Sequence, residues 1–155
     1  MKSKKSKDVL NTKFWQDRIR SHKEITHTVG HFDFDKCNAI HEKIIEEVIP
    51  NRSSVLDLGC GYGRASDFFV NYAGVDFVPE FIYEANRMFP LEKFYIADLR
   101  NLPFPTQSFD WGVMISIKGM IQGNTDQWPE ILEESKRVCK KILVLEYNDP
   151  GYEIL

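Results

Sequence analysis

Short apolar runs alternate with segments of helical periodicity between residues 54 and 146. Runs of four or five residues rich in Val, Ile, Leu, Phe and Trp are typical of buried strands, whereas apolar residues spaced three and four apart indicate amphipathic helices. The pattern predicts strands at 54–58, 73–76, 94–97, 111–115 and 142–146, and helices at 34–49, 63–70, 79–88 and 128–139.

Strands that alternate with helices form a parallel sheet covered by helices on both faces. Because the crossovers are right-handed, the carboxyl ends of the strands share one edge, and ligands bind there where the strand order reverses. We therefore expect an α/β fold, a doubly wound parallel sheet of about five strands with helices on both faces. A chain of 155 residues supports one core, so we expect a single domain over residues 11–155.

The charge is uneven along the chain, although the net value is only −3. Residues 1–24 contain eight Lys or Arg and three Asp or Glu, which gives +5, and the remainder carries −8. Residues 1–10 are predicted as a basic flexible tail that aids solubility. Steering toward nucleic acid is the alternative, but no groove-binding motif or interleaved aromatic residue accompanies the charges.

No apolar run approaches the roughly 20 residues that a membrane-spanning helix needs, and the N-terminus lacks the apolar block of a signal peptide. Cys37, Cys60 and Cys139 are an odd number and lack C-x-x-C spacing. They indicate neither a disulfide framework nor a zinc site. We expect a cytoplasmic protein with reduced thiols, no membrane association and no metal.

A glycine-rich turn follows the first predicted strand and opens the next helical pattern. Gly59 and Gly61 can adopt positive φ and have no Cβ, so backbone N–H groups could approach a ligand closely. Cys60 lies between them, where a helix N-terminus could stabilise a thiolate nucleophile. We favour the simpler interpretation, a small residue that fills a tight turn, because no base is its neighbour in sequence.

Three acidic residues lie at or near the ends of the first three predicted strands. Asp76 ends the second strand, where its carboxylate can accept hydrogen bonds from both hydroxyls of a ribose. Asp98 follows the third strand and could accept from an adenine amino group, with Leu99 packed nearby. Asp57 precedes the glycines and could anchor the loop and a ligand ammonium group. Each alone is also explained by the frequency of Asp at strand ends and helix caps, but the set predicts a nucleoside cofactor.

These residues and their neighbours resemble the successive motifs of class I S-adenosylmethionine-dependent methyltransferases. The resemblance spans roughly residues 52–146 and implies a Rossmann-like fold. It is similar to the methyltransferase type 11-like group, whose members act on small molecules, proteins and RNA. The matching segments are 55–64, Gly74-Val75-Asp76, Ala97-Asp98, Leu102-Pro103-Phe104-Pro105 and Ser108-Phe109-Asp110.

What the resemblance implies is binding of S-adenosyl-L-methionine and methyl transfer to an acceptor that the sequence does not identify. We expect a small molecule, with protein or RNA as alternatives. The resemblance implies residues that contact the methionine part, the ribose and the adenine of the cofactor, and residues that line the site. They are Asp57, Gly59, Cys60, Gly61, Asp76, Phe77, Asp98, Leu99, Ile115 and Ser116.

Two rival functions remain to be weighed. A nicotinamide dinucleotide enzyme needs a small residue at position 64 of its G-x-G-x-x-G fingerprint, but the chain has Arg64 there. A non-catalytic cofactor-binding or scaffold subunit is the stronger rival, because the usual methyltransferase sheet adds two more strands, one of them antiparallel. Ser116-Ile117-Lys118 also replaces the Asn/Asp-Pro-Pro-aromatic motif of amino-methylating nucleic-acid enzymes.

No residue is predicted as catalytic, because the sulfonium is already an activated leaving group and transfer mainly requires alignment in a dry site. His27, His31 and Lys118 are the candidate bases, and each is also explained as an ordinary surface or packing residue.

Two structural hypotheses complete the picture. If strand 142–146 is the last, its edge carries unpaired backbone groups, so we expect either the C-terminal residues or a second chain, as in a homodimer, to cover it. Residues 11–33 carry an apolar stripe of Phe14, Trp15 and Ile19, and we expect them to form a lid over the cofactor. Simple packing on the sheet is the alternative.

Overall fold

The computed structural model describes residues 10–21, 34–147 and 149–155. In these ranges the chain forms five α-helices, one short 3₁₀ helix and six strands. The helices are α1 Thr12–Ser21, α2 Phe34–Val48, α3 Pro79–Met88, α4 Lys118–Asn124 and α5 Trp128–Val138. The strands are β1 Ser54–Leu58, β2 Asn71–Asp76, β3 Lys93–Ile96, β4 Phe109–Ile115, β5 Cys139–Leu145 and β6 Tyr152–Ile154.

The strands form one sheet in the order β3-β2-β1-β4-β5-β6. The first five are parallel to their neighbours, and β6 is antiparallel to β5. The strand order reverses between β1 and β4, which pair through Val55 and Trp111. The carboxyl ends of β1 and β4 are therefore the switch point at which this class of sheet binds ligands.

Each face of the sheet is covered by helices because successive strand residues point to opposite sides. Leu56 and Leu58 of β1 pack in one buried cluster with residues of α4 and α5, whereas Val55 packs in the other with Ile44 and Ile45 of α2. The expected doubly wound α/β fold is thus confirmed. No helix in the described part of the chain is long and apolar enough to cross a membrane.

The predicted helix over residues 63–70 is wrong. Only a 3₁₀ turn, Ser66–Phe68, forms there, through i to i+3 bonds such as Phe68 N to Ala65 O at 3.1 Å. The chain must return along the five residues of β1, about 17 Å at 3.3 Å per residue. The eight residues of the predicted helix would span only about 12 Å, so the segment adopts a more extended course.

The number of strands also differs from the expected five. The C-terminal strand β6 pairs with β5 in the register Leu143 to Ile154 and Leu145 to Tyr152. This confirms the expectation that C-terminal residues cover the β5 edge, and it removes the need for a second chain there. The short helix α4 was not predicted, because its sequence KGMIQGN contains two glycines and little periodicity.

Candidate functional site

The glycine loop turns sharply over the carboxyl end of β2. Gly59, Gly61 and Gly63 have φ of 82°, 55° and 84°, values that only glycine adopts without strain. The backbone N–H groups of Gly59 and Cys60 both donate to the Val75 carbonyl at 2.9 Å. These donors therefore serve the loop itself, which corrects the expectation that they are available to a ligand.

Asp76, at the end of β2, is the residue that fixes the loop. Its Oδ2 accepts from the N–H of Gly61 and its Oδ1 from the N–H of Val78, both at 2.9 Å. Burial raises its pKa to about 6, and the backbone hydrogen bonds oppose that shift. One carboxylate thus joins the glycine loop to the start of α3, and each oxygen retains a lone pair.

Asp57, at the inner end of β1, is anchored differently from the expectation. Its Oδ2 accepts from the hydroxyl of Tyr72 at 2.9 Å, and no loop N–H is bonded to it. Burial raises its pKa to about 6, whereas the Tyr72 hydrogen bond and the nearby charge of Arg64 act to lower it. The residue that anchors the loop is therefore Asp76 and not the expected Asp57, whereas the carboxyl group of Asp57 is buried at the bottom of the site.

Asp98 lies two residues beyond β3 and is paired with Arg100. The guanidinium donates from Nε to Oδ1 at 2.9 Å and from Nη2 to Oδ2 at 2.5 Å, and Arg100 N also donates to Oδ1. The hydrogen bonds from the Arg100 side chain hold the pKa of Asp98 below its usual range. Asp98 is therefore ionised and fixed in direction at neutral pH.

One cleft brings together all ten of the predicted site residues. It opens at the switch point of the sheet, where doubly wound folds bind their ligands. The predicted residues that line it are Asp57, Gly59, Cys60, Gly61, Asp76, Phe77, Asp98, Leu99, Ile115 and Ser116.

Nine further residues line the cleft without having been predicted. They come from the segment around α1, the turn after the glycine loop, the start of α3 and the region of α4. They are Leu10, Trp15, Tyr62, Arg64, Ala65, Phe81, Ile117, Met120 and Ile121. For Trp15 alone a sequence signal existed, because its helical stripe led to the lid hypothesis.

Helix α1 lies against the entrance of the cleft. Trp15 meets Phe81 of α3 edge-on, with ring centroids 5.9 Å apart, and Gln16 Nε2 donates to Glu80 Oε1 at 2.7 Å. Phe14 and Leu10 pack against the core cluster that contains Ile117 and Ile121. Part of the predicted lid segment is thus in place over the site, and residues 22–33 lie outside the described ranges.

Among the candidate nucleophile and bases, only Cys60 and Lys118 lie in the described part of the chain. Burial raises the pKa of the Cys60 thiol well above its usual range, so it is protonated and weakly nucleophilic. Lys118 does not line the cleft, since its Nζ pairs with Glu153 at 2.5 Å. His27, His31 and the basic residues before Leu10 lie outside the described residues.

Ser116 combines two unusual features at the end of β4. Its φ is 60°, which is uncommon for a residue with a side chain. Its Oγ is buried, and no protein group in the described ranges bonds to it. The next residue, Ile117, is pressed against the glycine loop: a Cβ placed on Gly59 would lie 2.5 Å from Ile117 Cδ1. Ser116 and Gly59 therefore line the same cleft at the switch point, where the end of β4 packs against the glycine loop.

The doubly wound sheet, with a glycine turn after its first strand and a cleft at its switch point, places the chain among the Rossmann-like α/β domains. Residues 55–141, more than half of the chain, match the methyltransferase domain family, and the chain belongs to that family.

Individual relatives cover smaller parts. The 2-methyl-6-phytyl-1,4-hydroquinone methyltransferase of Synechocystis sp. is 34% identical over 77 residues, 43% of this chain and 24% of that enzyme. The chain therefore spans only about a quarter of the length of this curated relative.

Two solved structures share the fold. The PH0226 protein of Pyrococcus horikoshii OT3 has a TM-score of 0.70 at 22% identity and covers 83% of this chain and 64% of its own. An S-adenosylmethionine-dependent methyltransferase of Methanosarcina mazei has a TM-score of 0.56 at 23% identity and covers 65% of this chain and 55% of its own. At these identities the likeness establishes the fold.

Proposed function

We propose that this chain binds S-adenosyl-L-methionine in the cleft at the switch point and transfers its methyl group to a small-molecule acceptor. The observation that carries the proposal is the convergence of Asp57, Asp76 and Asp98 on one cleft beside a glycine loop. Membership of the methyltransferase domain family supports the same function. We take residues 11–155 as the single domain that performs it.

The cleft fits this cofactor in charge and in shape. The cofactor is cationic at its sulfonium and ammonium groups, and three carboxylates against the one guanidinium of Arg64 line the described part of the cleft. Asp76 would accept from the ribose hydroxyls through the lone pairs that its backbone hydrogen bonds leave open. Asp98 would accept from the adenine amino group, and Asp57 would face the methionine part.

The remaining predicted residues would form the walls. Phe77 and Leu99 would enclose the adenine, and Ile115 and Ser116 would lie beside the methionine part. Gly59, Cys60 and Gly61 would contribute room rather than hydrogen-bond donors, because their N–H groups are already bonded to the end of β2. A pyrophosphate cofactor is disfavoured by the same observation, since no α-helix N-terminus follows the loop to receive a phosphate.

When bound, S-adenosylmethionine supplies an electrophilic methyl group that leaves a neutral thioether behind. The described lining contains no His, Lys or Glu side chain, and its three carboxylates, Asp57, Asp76 and Asp98, are those assigned to the cofactor. The contribution of this chain is then to orient the acceptor and to exclude water, with Trp15 and Leu10 narrowing the entrance. The rate would come from alignment rather than from proton transfer.

Calorimetric titration with S-adenosylmethionine and S-adenosylhomocysteine tests the proposal. We expect both to bind and NAD not to bind. Asp76→Ala should weaken binding by about 1.5–3 kcal/mol, the scale for a charged hydrogen-bond partner, whereas Asp67→Ala, an exposed acid outside the cleft, should not. Unchanged affinity in Asp76→Ala or tight binding of NAD would overturn the assignment.

A labelled-methyl assay on cell extract separates the enzyme from the alternative, a non-catalytic cofactor-binding or scaffold subunit. Transfer of label to an extracted small molecule supports the proposal. Cofactor binding in calorimetry together with no label in any small-molecule, protein or RNA fraction supports the subunit.

A further inference from the structure

The part of the cleft that helices contribute is apolar. Leu10 and Trp15 approach from the α1 side, Phe81 from α3, and Met120 and Ile121 from α4. None of these side chains carries a charge, and the indole N–H of Trp15 is the one polar group among them. A charged ligand group placed against this wall would lose its hydration without compensation.

The carboxylates make the cleft unfavourable for an anion in particular. Asp98 is neutralised by its ion pair with Arg100, but Asp57 and Asp76 still outnumber the guanidinium of Arg64 in the described lining. Arg64 is itself engaged, since its Nη1 donates to Asn38 Oδ1 at 2.5 Å. The attraction that the carboxylates offer to a cation is directed at the proposed cofactor, so the apolar wall is left for an uncharged partner.

The Ser116 hydroxyl is the exception in this part of the site. Its Oγ is buried and no described protein group bonds to it, although buried hydroxyl groups almost always have partners. The backbone that carries it has φ 60°, and Ser116 N donates to Leu145 O at 2.7 Å. Strained backbone of this kind is concentrated at ligand-binding positions. The hydroxyl is thus held in place for a ligand atom.

We propose that the methyl acceptor is an uncharged, mainly apolar small molecule whose one oxygen group, a hydroxyl or a carbonyl, is hydrogen-bonded by Ser116 Oγ. The acceptor packs against the wall that Trp15, Met120 and Ile121 contribute. This inference rests on the proposed function, since it places the acceptor in the part of the cleft that the bound cofactor would leave open. It makes Ser116 the residue that selects and orients the acceptor.

Binding of three naphthalene probes, measured by ligand-observed NMR titration with S-adenosylhomocysteine present, tests the inference. The probes are 2-naphthol, 2-naphthoate and naphthalene, which share one ring system and differ in their oxygen group and charge. We expect 2-naphthol to bind at least ten-fold more tightly than 2-naphthoate. Equal or tighter binding of 2-naphthoate, or binding of none of the three, would overturn the inference.

Ser116→Ala tests the anchor itself. This variant should lower the affinity for 2-naphthol about five- to thirty-fold and leave that for naphthalene unchanged within two-fold. Ser108→Ala is the control, because Ser108 is exposed and its Oγ donates to Pro105 O away from the cleft. An equal loss for both probes in Ser116→Ala would mean that the substitution only disturbs packing, and the inference would fail.

The proposed function is checked separately on the same samples. If S-adenosylhomocysteine binds in calorimetry but the probe pattern is wrong, the cofactor assignment stands and the acceptor class is wrong. If S-adenosylhomocysteine does not bind, the proposed function itself fails.

Discussion

At the scale of single residues, Asp57 and Asp76 determine how the site responds to pH. Burial raises the pKa of each carboxyl group to about 6, above the value of about 3.9 expected in the unfolded chain. Between pH 4 and 6 the native state therefore binds more protons than the unfolded state. From these two groups, the free energy of unfolding decreases as the pH rises through that window.

Cofactor affinity should change in the opposite direction. A cationic cofactor favours the ionised carboxylates, so we expect the affinity for S-adenosylmethionine to rise about ten-fold or more between pH 5 and 7.5, with a midpoint near 6. Calorimetry in buffers of different ionisation enthalpy should show proton release on binding at pH 6. An affinity that is flat across this range would contradict the assignment of both carboxylates to the cofactor.

Adding a single methyl group at Gly59 should lower the stability of the protein. Gly59→Ala places a Cβ at φ 82° and 2.5 Å from Ile117 Cδ1, so Ile117 must move as well. We expect a loss of about 1–3 kcal/mol in the free energy of unfolding by urea, together with weaker cofactor binding.

Gly123→Ala is the matched control for Gly59→Ala. Gly123 lies in α4 with no atom within 4 Å of a Cβ placed there, so the change should be neutral or stabilising by up to about 1 kcal/mol. Equal losses in the two variants would show that the glycine loop is not under the constraint described.

The sequence identified ten of the residues that line the cleft, but not the groups to which they are hydrogen-bonded. Asp57, Asp76 and Asp98 follow strands, and the common edge of a parallel sheet brings strand ends together whatever the details of packing. Their partners depend on tertiary register: Tyr72 reaches Asp57 because β1 and β2 pair side by side. No local pattern predicts that contact, or the bond from Gly61 to Asp76.

At the scale of elements, the lid hypothesis can be tested in α1 by substituting one side chain, that of Trp15. Trp15 lines the cleft and contacts Phe81. We expect Trp15→Ala to weaken cofactor binding about five- to twenty-fold while the sheet stays folded, because the entrance would open to water.

Calorimetry and thermal unfolding measure the two effects of Trp15→Ala, and Lys13→Ala on the exposed side of α1 is the control. If Trp15→Ala binds the cofactor with wild-type affinity, α1 simply packs on the sheet and the lid hypothesis is wrong.

Elements were predictable where length and periodicity agreed. The helices α2, α3 and α5 have apolar residues at helical spacing, and α3 and α5 carry Pro near their first turn. The 63–70 segment has helical spacing too, but the return distance along β1 overrides it. The strand β6 has only three residues and becomes a strand because the edge of β5 is available.

At the scale of the whole molecule, β6 closes one side of the sheet. Leu155 and Ile142 exchange two hydrogen bonds of 2.9 and 3.0 Å. Because hydrogen-bonded pairs alternate along an antiparallel ladder, Glu153 and Val144 form the next such pair. Lys118 additionally ties β6 to α4 through Glu153.

Glu153→Pro should therefore release β6, since proline lacks the N–H that this pair needs. We expect the exposed edge of β5, an apolar run, to cause dimers or larger species in sedimentation velocity at micromolar concentration. Glu153→Ala removes the same ion pair and keeps the N–H, so it should sediment as the wild type does. If the proline variant also sediments as the wild type does, β6 is not what protects the edge.

The switch point between β1 and β4 has a consequence for how the protein folds. Strands β1, β2 and β3 are consecutive in the chain and pair with one another, as do β4, β5 and β6. Each half can thus assemble from nearby segments, whereas the β1 to β4 contact, such as Val55 with Trp111, closes a long loop and is intrinsically slow. The cleft takes Asp57 and Asp76 from one half and Ser116 and Met120 from the other. A complete binding site therefore exists only after the two halves have joined, and ligand binding marks the end of folding.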